Sequence, residues 1–165
     1  MVLRIAAGTD DVTMSRFVVS PLWELTHALR LLAGRSRYQD DPVLRPWLVR
    51  ARTRYEALLD YADIEVLLAL EPPGWGADFV APMPRNLSST IDDLLTEVRS
   101  VPAAQAHREV AEALRRQPAS PRVERILTGD NVTGYLADVL AAAWHAPGSS
   151  HPGAGPRRSR TCMRS

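Results

Sequence analysis

From Leu44 to Ala62 the apolar residues fall at Leu44, Trp47, Leu48, Ala51, Tyr55, Leu58, Leu59 and Ala62. This 3-4-4 spacing, held for about five turns, draws one stripe along an α-helix and cannot be used by a strand, whose sides alternate at every residue. Pro42 stands near the start. The other side carries Arg45, Arg50, Arg52 and Arg54. Two readings of those arginines are open: a solvated face paired with Glu56 and Asp60, which is favoured, or a surface that touches phosphate. A recognition helix would need a short first helix and a tight glycine turn before it, and neither is present.

The same periodicity recurs through most of the chain. Ser20-Pro21 opens a helix: serine accepts an orphan backbone N–H, proline loses nothing at the first helical position, and Glu24 complements the positive end. Leu22, Leu25, Leu29 and Leu32 form its stripe, with Trp23 beside it, and Gly34 stops it. Leu25, Leu29, Trp47, Leu48, Tyr55 and Leu58 are therefore expected to share one core. A short apolar segment runs from Ile64 to Leu70. The following PPGWGADFVAPMP is a proline-rich loop that nonetheless carries Trp75, Phe79, Val80 and Met83, so it lies across a core or covers a pocket. Ser89-Thr90-Ile91-Asp92 resembles a capping box ahead of Ile91, Leu94, Leu95 and Val98. Further helices begin at Pro102 (Ala106, Val110, Ala113 and Leu114 inward), at Ser120-Pro121 (Val123, Ile126, Leu127) and at Asn131 (Val132, Leu136, Val139, Leu140, Ala143, Trp144). Only Val2-Leu3-Arg4-Ile5 and Arg16-Phe17-Val18-Val19 have strand composition. The fold class is mainly α: a multi-helix domain with a small N-terminal β element.

At Pro147 the text changes. PGSSHPGAGPRRSRTCMRS holds no acid, no Val, Ile, Leu or aromatic, and the single cysteine, Cys162. Every one of the chain's 20 basic residues is arginine, a GC-rich signature. Four of them fall in this tail, which leaves 16 against 19 acidic residues in 1–146. The body is thus slightly acidic, with no general attraction to nucleic acid. The tail reads either as an out-of-frame or truncation scar, the preferred reading, or as a natural disordered basic tail. The chain accordingly divides into a helical domain, 1–146, and a disordered tail, 147–165. No apolar run approaches a membrane span of roughly 18 residues. The N-terminus lacks an apolar signal region, so a cytoplasmic location is expected.

Candidate chemistry is sparse. His27, His107, His145 and His151 show no metal-site spacing, and one cysteine excludes both a disulfide framework and a thiolate cluster. No phosphate-cradling glycine loop, dinucleotide fingerprint or nucleophile elbow is present. Asp40-Asp41 and Asp92-Asp93 are helix-start acids. Catalytic residues, metal and cofactor are all expected to be none. The aromatic residues leave one alternative, a small-molecule pocket or enzyme site beneath the Trp75 loop, lined by Trp23, Tyr55, Trp75 and Phe79. The other alternative is a bare interaction domain whose aromatic surface docks a partner.

Arg16 to Leu32, Pro46-Trp47-Leu48, Asp78-Phe79-Val80-Ala81-Pro82 and the helix from Tyr135 to Trp144 together resemble a family of actinobacterial transcriptional regulators. These are ArsR-type winged-helix proteins with a large helical N-terminal domain. The resemblance covers residues 1 to about 146 and implies an effector-sensing or dimerising role. In that family the last helix runs on into a winged helix; here the arginine tail follows His145-Ala146, so specific DNA binding by this polypeptide is not expected. The apolar surface at Leu136, Leu140 and Trp144 is then the candidate pairing surface, for a homodimer or for a mixed dimer with a full-length regulator. No membrane partner is expected.

Overall fold

The structure, a computed structural model, describes residues 19–146. The strand-like segments reaching Val18 and the tail from Pro147 fall outside the described residues. Val19 itself is irregular, and no strand occurs among the described residues.

Seven α-helices and one 3-10 turn make up the described body. They are α1 (Pro21–Leu32), α2 (Arg45–Leu58), α3 (Ile64–Ala69), the 3-10 turn (Asp78–Val80), α4 (Ile91–Ser100), α5 (Ala103–Arg116), α6 (Pro121–Leu127) and α7 (Val132–His145). The start signals act as their chemistry dictates. The Ser20 hydroxyl accepts the Trp23 N–H and also donates to the Pro82 carbonyl at 3.1 Å, so one side chain caps α1 and pins the proline-rich loop. Ser120 accepts the Val123 N–H at the head of α6. The capping box sits one residue later than the Ser89/Asp92 spacing predicts: Thr90 and Asp93 exchange the bonds, because Thr90 is the residue with extended backbone. Asn131 occupies the N-cap of α7 but makes no side-chain cap bond. Gly34 ends α1 in the left-handed region (φ +69°), where the Arg35 N–H reaches back to the Arg30 carbonyl.

α7 is the central helix. Leu136, Ala137 and Leu140 are fully enclosed, and it packs chiefly on α4, with α3 and α5 also against it. α1 joins this core through Leu22, Leu25 and Leu29, and lies against α2, α3 and α4.

α2 departs from expectation. The stripe predicts Trp47 and Leu48 in the core, yet Leu58 is the only buried residue of this helix, Leu48 and Tyr55 are half-buried, and Trp47 is 36% exposed. The period is right and the breadth is not. α2 has one main packing partner, α1, so only a narrow arc is covered: Leu44, Leu48, Ala51, Tyr55 and Leu58. Trp47 and Leu59 lie just outside the two edges of that arc, about 20° beyond them on an ideal helix, and emerge.

Candidate functional site

The aromatic residues expected to share a pocket are distributed over different surroundings. Trp23 is exposed on α1 and stacks on His27, ring centroids 3.7 Å apart, while His27 Nδ1 lies 2.9 Å from the Trp23 carbonyl oxygen. Tyr55 lies half-buried against the core; burial raises its hydroxyl pKa, with Arg35 and Arg52 opposing. Phe79 is a core residue, and its N–H donates to Glu109 Oε2 at 3.2 Å. Trp75 is half-buried in the loop, with the Arg116 guanidinium 5.6 Å from its ring centroid. Gly74 (φ +75°) makes the turn that aims it, closed by the Trp75 N–H on the Pro72 carbonyl. The loop is thus laid on α5 by a cation and a carboxylate.

Two surface cavities have useful size. One, of about 420 Å³, is bounded by Arg85, Asn86, Ser88, Thr96 and Glu97; the other, of about 320 Å³, lies over Val110 and Leu114 between His107 and Glu124. None of Trp23, Tyr55, Trp75 and Phe79 lines either. Of the expected pairing residues, Leu136 and Leu140 are already enclosed in the chain's own core, and Trp144 is half-buried against it. Among the described residues no group of three or more His, Cys, Asp or Glu side chains is placed to hold a metal ion, and no helix is long and apolar enough to cross a membrane.

Two polar constellations join distant parts of the chain. Arg122 of α6 makes two bonds to Asp63, at 3.2 and 2.5 Å, the Tyr135 hydroxyl donates to Asp63 Oδ2 at 2.8 Å, and Ser120 donates to Glu65 at 3.1 Å. Burial alone would raise the Asp63 carboxyl; the bonds from Arg122 and Tyr135 outweigh it and hold the pKa below the usual carboxylate value. The second is the pair Arg30–Glu71 at 3.2 Å, with Glu71 buried. Both are long-range clasps for which the sequence offers no local signal.

The most accessible constellation is on α2. Asp41 accepts the Leu44 and Arg45 N–H groups, and its side chain accepts the Val43 N–H at 2.8 Å, so a helical turn leads directly into the helix. Val43, Trp47, Arg50 and Arg54 then follow at 4-3-4 spacing along one flank. Val43 is 82% exposed; Val49, 70% exposed, lies on the far side of the helix with Arg52 and Glu56. Of the four arginines here, Arg52 alone is paired, with Glu56 at 3.1 Å and the Leu32 carbonyl at 3.5 Å. Arg45, Arg50 and Arg54 make no ion pair with any described residue. The solvated face expected from the sequence holds for all four arginines, and its internal pairing for Arg52 alone, with Asp60 taking no part.

Comparison of this chain with protein-family models, with curated proteins and with solved structures returns no match.

Proposed function

We propose that the chain is the regulatory helical part of a transcriptional regulator, the half that associates with a partner or senses an effector while base reading is done elsewhere. The family resemblance of the sequence landmarks from Arg16 to Trp144 supplies the class. The observation that carries the associative role is α2: a peripheral helix whose outer flank, with the turn before it, combines the exposed Val43, a partly exposed tryptophan and arginines without ion-pair partners, on a body whose remaining large apolar stripes are filled. Exposed aromatic and arginine side chains at the centre of an apolar patch are the composition of protein interfaces. The Trp75 loop does not favour the pocket alternative, since Phe79 and Trp75 are already occupied in packing on the core and against Arg116.

A mobility-shift assay with promoter fragments near physiological salt tests this division of labour. The chain alone is expected to give at most weak, salt-sensitive shifts; a sharp, sequence-selective shift overturns it. Light scattering on the same samples divides the two associative roles. A mass that doubles with concentration assigns dimerisation, and a constant monomer mass assigns effector or partner binding.

A further inference from the structure

We infer that the Trp47 flank of α2 is a docking surface for an acidic amphipathic helix of another protein. The inference rests on the reading of α2 as an association surface and names the chemistry of what it takes.

The flank has an apolar end and a cationic end. Val43 and Trp47 supply the first, Arg50 and Arg54 follow one helical turn apart along the same row, and no acidic residue shares that 4-3-4 row. The nearest acid on the helix, Glu56, is tied to Arg52 on the opposite edge. Elsewhere in the body most arginines are engaged: Arg30, Arg85, Arg99, Arg115, Arg116 and Arg122 each pair with an acid. Cations left unpaired beside an exposed indole present a field that only an anionic partner completes.

Three occupants compete, and the geometry separates them. A second copy docking α2 on α2 about a twofold axis sets Arg50 and Arg54 against the same residues when the helices run parallel and over Trp47 and Val43 when they run antiparallel, and neither arrangement gives the guanidinium groups an anion. Nucleic acid offers phosphates to the arginines and a base to the indole, but nothing apolar for Val43. It must also approach a body with 16 arginines against 19 acids over residues 1–146. An amphipathic helix with a Leu/Phe stripe bordered by Glu or Asp answers both components at once, in side-by-side helix pairing where the apolar seam gives affinity and the flanking charges choose partner and orientation.

The test uses the full chain and a fluorescein-labelled amphipathic peptide about 20 residues long, enough to be helical when bound, with a Leu/Phe stripe flanked by Glu. A second peptide has every Glu replaced by Lys, and an oligo-dT strand is the third probe. Fluorescence anisotropy at physiological salt is expected to give micromolar binding of the Glu peptide and none of the Lys peptide. Trp47→Ala and the double variant Arg50→Glu/Arg54→Glu should each weaken the Glu peptide by about tenfold or more. The double variant should now accept the Lys peptide, while circular dichroism shows both variants folded. Equal binding of the two peptides, unchanged affinity in both variants, or no binding overturns the proposal. Oligo-dT binding that is lost in the variants while Glu-peptide binding persists makes the flank a nucleic-acid surface and overturns it as well. A dimer abolished by Trp47→Ala makes the flank a self-interface: the acidic partner is then rejected while the associative reading of α2 stands.

Discussion

Asp63 is held ionised against its own burial, and that makes it a lever on stability. Its carboxylate takes two bonds from Arg122 and one from Tyr135, so α3, α6 and α7 are joined at one side chain. Because its pKa is lower folded than unfolded, it contributes stability that is fully present above the unfolded carboxylate value and is lost as pH falls through the depressed folded value. Asp63→Asn is expected to cost about 1–2 kcal/mol at neutral pH, at the low end for charged hydrogen bonds because Arg122 is largely exposed. Tyr135→Phe should cost about 1 kcal/mol. Urea unfolding from neutral to acid pH checks both, and the Asn variant should lose stability less steeply on acidification than the parent. An unchanged acid slope would show that Asp63 is not the group responsible. None of this is legible in the sequence. The partners of Asp63 stand 59 and 72 residues away, and an Asp-Ile start to a short apolar helix looks like any other helix-start acid.

At the scale of the element, the ends of helices were legible and their orientation was not. Capping is local chemistry, so Ser20, Ser120 and Gly34 can be read from a few neighbouring residues, and the Thr90/Asp93 box is displaced by one position only. Thr90→Ala is expected to cost about 1 kcal/mol in thermal or urea unfolding, and Ser89→Ala to change little; the reverse order would place the box at Ser89. Gly134 gives a second check. A Cβ there would come within 2.4 Å of Asn131 Oδ1, the tip of a side chain that makes no cap bond and can turn away. Gly134→Ala should therefore be neutral or stabilising by up to about 1 kcal/mol, through helix propensity. Destabilisation would mean that the Asn131 side chain is fixed. For α2, by contrast, periodicity reports that a helix has an apolar side without reporting how much of that side a neighbour covers. Trp47 and Leu48 are adjacent in the same pattern, and packing on α1 covers the second more than the first.

Across the whole molecule the weight of the core lies at α7, away from the helix with the strongest sequence signal. α7 contacts α3, α4 and α5, and Leu136, Ala137 and Leu140 are fully enclosed by them and their neighbours; α2 stands outside this arrangement with one buried residue. The assignment of a mainly helical body could be made from spacing, because every apolar stripe in residues 20–146 had helical period. Which stripe becomes the centre could not, since that depends on how many other helices reach it, a non-local property. The two positions therefore separate sharply under the same truncation chemistry. Leu136→Ala removes enclosed methyl groups and leaves a cavity that rigid neighbours cannot fill, a loss of about 2–5 kcal/mol. That is a large share of the total for a domain of this size. Trp47→Ala removes a larger side chain, yet one already in partial contact with water on a peripheral helix, and the expected loss is about 1 kcal/mol. Urea denaturation of both variants beside the parent is the measurement. A tryptophan variant that loses as much as the leucine variant would show Trp47 enclosed in the folded chain. It would also remove the exposed flank on which the docking proposal stands.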